Sequence, residues 1–257
     1  MQTNILVVFA NPRGTDPMRL GSEDRTILES IRLGRYRDRI SLTRIHAATI
    51  HDLRRALLDN AFQVVHISSH GTGMGLVLED ELGGKYVVPQ QALAELLQAY
   101  SPPIDCVILN ACYSVTQGQL MSMGVPFTIV MEGPISDKAA IEFSRGFYDS
   151  LGAAKTLDFA YEEGCRTVKL AAPGAEFVSK LLRKGETYTS SFGQPPTPRY
   201  EIYEGKVIDL LPAHNPVAGE WRVIQDDASR FAYQLDKQSV ERQQGYVENY
   251  ELSLFST

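Results

Sequence analysis

The apolar residues of this chain fall into short continuous runs alternating with stretches of helical period. Asn4 to Ala10 (NILVVFA), Val64 to Ser69 (VVHISS), Cys106 to Leu109 (CVIL) and Pro126 to Met131 (PFTIVM) are runs of the first kind. Brief, β-branched runs without alternation predict strands buried on both faces of a parallel sheet. Ile40 to Ile45 alternates and predicts a strand near a sheet edge. Ile27, Leu28 and Ile31 form the apolar stripe of a helix predicted from Ser22, as its cap, to about Leu33, with Glu23 and Asp24 in its first turn. Thr49 is the expected cap of a second helix carrying Ile50, Leu53 and Leu57.

Leu76-Val77-Leu78 and Tyr86-Val87-Val88 flank Gly83-Gly84, a hairpin signal, and Pro89 opens a helix carrying Leu93, Leu96 and Leu97. A short helix is expected near Gln117 to Met123, and two longer ones over Asp137 to Leu151 and Lys155 to Ala171. This order predicts a doubly wound α/β domain with a mostly parallel sheet over residues 1–172. The composition changes at Pro173-Gly174. Residues 173–257 read as a small β-rich appendage of short strands and loops, with Val207-Ile208 and Trp221 to Ile224 as strand candidates.

Composition narrows the function. The net charge is −6, which offers no basic face for nucleic acid. Three cysteines in 257 residues do not make a disulfide framework and fit a reducing compartment. No zinc-ligand spacing is present, because the HxxxH of His66 and His70 falls on a strand rather than a helix. Neither a signal peptide nor a run of roughly 20 apolar residues occurs, so a soluble, cytoplasmic protein is expected, with no membrane partner and no cofactor.

Two strand ends carry the chemistry. One strand runs into His70-Gly71 and another into Asn110-Ala111-Cys112. In parallel sheets ligands bind beyond the carboxyl ends of the strands. A histidine at one end and a cysteine at another is what a thiol nucleophile and its base need. Cys112 stands where the chain turns towards a helix, whose N-terminus favours a thiolate. Cys106 and Cys165 read as structural, and His66 as a core histidine satisfied by its neighbours. Gly71 to Gly75 lacks the spacing of a phosphate loop and leads towards a hairpin, so a nucleotide site is the weaker alternative. No GxSxG elbow exists.

The strand-His70-Gly71 and strand-Asn110-Ala111-Cys112 pair resembles the caspase–haemoglobinase fold, and within it the bacterial caspase-like cysteine peptidases of the CHAT type. The separation (112 − 70 = 42) is near the roughly 50 residues of caspases. Asn110 to Ser114 departs from the caspase QAC[RQG]G signature, so aspartate specificity does not carry over. The resemblance implies a cysteine endopeptidase with Cys112 as nucleophile, His70 as base, and the N–H groups of Gly71 and Cys112 as oxyanion donors. It also implies a substrate pocket built from the loops after the runs Asn4 to Ala10, Cys106 to Leu109 and Pro126 to Met131, where Asp16, Glu132 and Asp137 would favour a basic residue. A protein substrate, a separate activator or sensor subunit and a role in bacterial defence or programmed death complete that expectation, with residues 173–257 as the regulatory or partner-docking part. The alternative from another class is a catalytically silent module that keeps the fold and binds a partner.

Overall fold

The computed structural model describes residues 2–72, 74–175 and 177–185, and the backbone of four later strands, Tyr200–Tyr203, Lys206–Asp209, Trp221–Gln225 and Arg230–Gln234. The chain divides into two compact units, Met1–Tyr188 and Thr189–Thr257.

In the first unit, β1 (Thr3–Phe9), β2 (Ile40–Ile45), β3 (Val64–Ser68), β7 (Cys106–Asn110), β8 (Phe127–Met131) and β9 (Ser179–Arg183) form one sheet in the order β2-β1-β3-β7-β8-β9. All neighbours are parallel except β8 and β9. Three short strands, β4 (His70–Thr72), β5 (Gly75–Glu79) and β6 (Lys85–Pro89), make a separate antiparallel meander. The helices are α1 (Leu20–Leu33), α2 (Ile50–Asp59), α3 (Gln90–Ala99), α4 (Val115–Ser122), α5 (Asp137–Gly152) and α6 (Leu157–Ala171).

The side-chain period of two splits each central strand between two cores. Leu6 and Val8 of β1 join Leu53, Leu93 and Met121 from α2, α3 and α4. Ile5, Val7 and Phe9 join Ile27, Phe143 and Val168 from α1, α5 and α6. Both faces are therefore covered, the condition under which continuous apolar strands are stable. The doubly wound α/β reading holds.

Several local expectations meet the structure and two do not. Thr49 caps α2 through a capping box with Asp52. Gly83 takes φ +77° in the β5–β6 turn, where the carboxylate of Asp80 accepts from the Leu82 and Gly84 N–H groups. Helix α1, however, starts at Leu20 rather than after Ser22, and no side chain caps it locally. The Arg19 N–H donates instead to Asp137 Oδ2 at 3.0 Å, so a carboxylate from α5 satisfies the helix start. The sheet also passes the expected boundary at residue 172. Strand β9 pairs with β8 from Met131↔Ser179 to Phe127↔Arg183 and belongs to the first unit. Its weakly apolar sequence, SKLLR, suits a half-covered edge.

The later strands form two antiparallel hairpins, Tyr200–Tyr203 with Lys206–Asp209 and Trp221–Gln225 with Arg230–Gln234. Most of residues 173–257, read from sequence as the regulatory or partner-docking part, lies outside the described residues. Among the described residues no helix is long and apolar enough to cross a membrane.

Candidate active site

Register places the site. The last paired residues of β3 and β7 are Ser68 and Asn110, and His70 and Cys112 each stand two residues further on. Both line one pocket of about 220 Å³ at the carboxyl end of the parallel strands. A larger cavity of about 300 Å³, beside Asn60, Phe62 and Pro103, lies at the opposite end, away from this chemistry.

Gly71 lies directly against the main chain of Cys112, where a Cβ would be driven into the Cys112 carbonyl. The sequence suggests that this glycine lets the backbone approach a ligand. In the structure the backbone that approaches is the one carrying the cysteine.

His70 is oriented from its far side. Its Nε2 lies 2.9 Å from the Asp16 carbonyl and 3.3 Å from Asn11 Oδ1. Both partners are acceptors, so Nε2 is a donor and carries a proton. The loop holding these acceptors is itself held. The Arg13 N–H donates to the Gly83 carbonyl at 2.9 Å, and the Arg13 guanidinium donates to the Leu82 carbonyl.

Cys112 is half-buried. The Ile135 N–H donates to its Sγ at 3.4 Å, a contact that favours sulfur carrying negative charge. The next residue, Tyr113, sits in the left-handed region at φ +54°, which in a non-glycine residue costs about 1–3 kcal/mol and clusters at functional sites. Ser114 fixes this turn. Its N–H donates to the Met131 carbonyl at 3.0 Å, and its Oγ accepts from the Met131 N–H at 2.9 Å.

Beneath the pocket lies a buried polar network. Glu23 of α1 is 3% exposed and accepts from Asn110 Nδ2 at 2.6 Å and Ser144 Oγ at 2.8 Å. Burial pushes its carboxyl up to about 7, against the pull of the Ser144, Asn110 and Ser68 hydrogen bonds, and the negative charge of Asp137 adds to the rise. His66 Nε2 stands 3.5 Å from the same carboxylate, but burial pushes this imidazole down to about 3, so the contact is not an ion pair. His66 is satisfied by Tyr148 Oη at 2.9 Å and Ser68 Oγ at 3.1 Å.

Of the residues expected at the substrate pocket, Asp16 and Asp137 line it together with His70 and Cys112. Glu132 does not. Its carboxylate is buried facing Lys180 Nζ at 3.8 Å, and its N–H donates to the Val178 carbonyl at 2.8 Å. It supports strand β9, an element absent from the sequence reading. Glu23 and Asn110, which do line the pocket, were missed. The signal was present for Glu23: it stands four residues before Ile27 and eight before Ile31, on the apolar stripe of its helix. Gly71 to Gly75 leads into strand β5, so no helix N-terminus follows it to hold a phosphate, and Gly73 lies outside the described residues. No cluster able to hold a metal ion occurs among the described residues.

The chain matches the CHAT domain family over residues 2–168. A Roc-COR-CHAT protease from an unknown prokaryotic organism is 24% identical over 173 residues, covering 64% of this chain and 16% of that protein. The chain thus spans about a sixth of the length of that relative. Among solved structures, the inactive zymogen of a C11 protease from Parabacteroides distasonis aligns over 70% of this chain and 61% of its own, with TM-score 0.48 and 12% identity. A pyridoxal kinase from Staphylococcus aureus, solved in complex with pyridoxal, aligns over 71% and 99%, with TM-score 0.33 and 10% identity. With the family match spanning nearly the whole sheet and both strand ends, the chain belongs to the CHAT domain family.

Proposed function

We propose that this chain is a cysteine endopeptidase working through Cys112 and His70. The observation that carries the reading is the placement of both side chains two residues past the paired Ser68 and Asn110, on one pocket. His70 Nδ1 takes the thiol proton, and Cys112 Sγ attacks the scissile carbonyl carbon. The N–H groups of Gly71 and Cys112 stabilise the oxyanion. Collapse breaks the C–N bond, and the amine leaves with the proton from His70. Water, deprotonated by the same imidazole, then hydrolyses the thioester and restores the thiol. No cofactor enters these steps. The name of the related Roc-COR-CHAT protease supports the peptidase class.

In this reading the protein is a switched effector of a bacterial defence or programmed-death system, acting on a protein substrate in the cytoplasm. A separate activator or sensor subunit releases it, with the second unit as the docking part. Gly133, in the loop after β8 beside the site, makes that loop costly to order, which a partner's binding energy offsets.

Alkylation by a thiol-directed peptide probe, followed by peptide mapping, tests the nucleophile. Cys112 is expected to react, and Cys112→Ala to abolish both labelling and proteolysis. Cys106→Ala is expected to keep activity, because burial pushes that thiol far up. Cys165→Ala is expected to keep it too, since that sulfur is 3.4 Å from Ser179 Oγ, outside the site. A Cys112 that resists the probe in activated protein, with proteolysis unaffected by Cys112→Ala, removes the assignment. A resistant Cys112 in a protein that only binds its partner makes it a silent assembly module.

A further inference from the structure

The pocket beside Cys112 has an asymmetric floor. Three carboxylates line it, Asp16, Glu23 and Asp137, against one guanidinium, Arg19. Asn110 is 5% exposed and turns its Nδ2 to Glu23 at 2.6 Å. That donation fixes the amide's orientation, and its Oδ1 is left buried with no hydrogen-bond partner. An unmatched buried acceptor beside a carboxylate lacks donors, and more so positive charge.

We propose that Glu23 and Asn110 form the base of the specificity pocket and recognise the cationic side chain, Arg or Lys, of the residue before the scissile bond. This rests on the peptidase reading above and names its substrate class. A guanidinium offers five N–H donors in a planar fork and can serve both the Glu23 carboxylate and Asn110 Oδ1. Asp137, held by the Arg19 N–H, and Asp16 supply charge nearer the rim. Glu132, buried against Lys180, takes no part.

Recognition by this floor is tied to pH. The groups around Glu23 are Arg19 on its own side, Ser68 and His66 from β3, Asn110 from β7, and Asp137, Ser144 and Tyr148 from α5. His66 is neutral and Tyr148 is pushed up by burial, so Arg19 is the one fixed cation among them. The empty pocket holds a proton on Glu23 up to about pH 7. Binding a guanidinium displaces that proton to solvent, so affinity for a cation rises with pH through this range.

The test uses full-length Cys112→Ala, which binds without turnover, and two peptide amides identical except for a terminal Arg or its neutral analogue citrulline. Calorimetric titration at pH 6 and pH 8 is expected to show the Arg peptide binding about tenfold to a hundredfold more tightly at pH 8. The advantage is expected to shrink at pH 6, where binding releases about one proton per site. Glu23→Gln in the same background, which keeps an acceptor for Asn110 and Ser144, is expected to lose both the advantage and the proton release. Equal affinities at pH 8 or tighter binding of citrulline overturns the proposal, and so does binding of neither peptide under conditions in which the protein with Cys112 in place cleaves. The pH comparison within Cys112→Ala needs no change at Glu23, so misfolding of that variant cannot mask the answer. Cys112-dependent cleavage by the otherwise unchanged protein is read separately, so failure of the peptidase reading is distinct from failure of the pocket.

Discussion

Gly71 lies against the carbonyl of Cys112 without room for a methyl group between them. The nucleophile's backbone and the residue following the base are therefore one packed unit. Gly71→Ala must push β4 and the Cys112 turn apart. Overpacking of this kind costs about 1–3 kcal/mol, and a displacement of about 1 Å at a reacting centre costs roughly a hundredfold in rate. A loss of at least that size in kcat/KM is expected, with the protein still folded by circular dichroism. Near-normal turnover in Gly71→Ala would show that the two strand ends do not act together.

Asn11 is expected to be a positioning residue. It shares His70 Nε2 with the Asp16 carbonyl, at 3.3 Å against 2.9 Å. Asn11→Ala leaves the shorter partner in place. Losing one neutral hydrogen bond of about 0.5–1.5 kcal/mol lowers kcat roughly twofold to tenfold. KM should stay unchanged, because Asn11 is outside the pocket lining. A changed KM with constant kcat would place Asn11 in substrate binding instead.

The buried pair Glu23 and His66 gives stability a particular pH dependence. The Glu23 carboxyl is pushed up from 4.5 to about 7. Between those values the folded protein holds a proton that the unfolded chain releases, and stability falls as pH rises. The His66 imidazole is pushed down from 6.5 to about 3. There the unfolded chain holds the proton, and stability rises with pH. The two slopes oppose one another between about 4.5 and 6.5. Glu23→Gln removes one of them. Its stability relative to the unchanged protein is expected to climb by about 1.4 kcal/mol per pH unit through that window. Denaturant titrations at pH 5, 6 and 7 check this, and parallel curves for the two proteins refute it.

Strand β9 sets the length of the first unit. A fragment ending at residue 172 loses the strand paired along β8, and with it the core residue Leu182, and leaves that edge of β8 uncovered. It is expected to unfold at lower denaturant and to aggregate through the bared edge. A fragment ending at residue 188 is expected to unfold as one cooperative transition. Equal midpoints for the two fragments would show that β9 adds nothing.

The sequence was legible where one residue type answered to one physical demand. Continuous apolar runs gave the central strands, Thr49 its cap and Gly83 its turn. It was less legible where a demand is met across the fold. The start of α1 is satisfied by Asp137, 118 residues away, and nothing near Arg19 signals it. Strand β9 has little apolar content because, among the described residues, it stands at the end of the sheet and is mostly only half-buried. At the site, His70 and Cys112 stood out because they end buried strands. Glu23 looked like an ordinary first-turn charge although it falls on the apolar stripe of its helix, and its pairing with Asn110 and Ser144 puts it under the pocket.

The direction of β9 has one more consequence. Because it runs against its neighbour, its last residue, Arg183, is paired with Phe127, the first residue of β8. Strand β1 likewise begins at Thr3 at that end of the sheet. Entry and exit of this unit thus share one pole, and the thiol and imidazole occupy the other. A substrate approaching the thiol therefore meets the carboxyl ends of the parallel strands and their loops, and neither the start of β1 nor the end of β9 stands in its way.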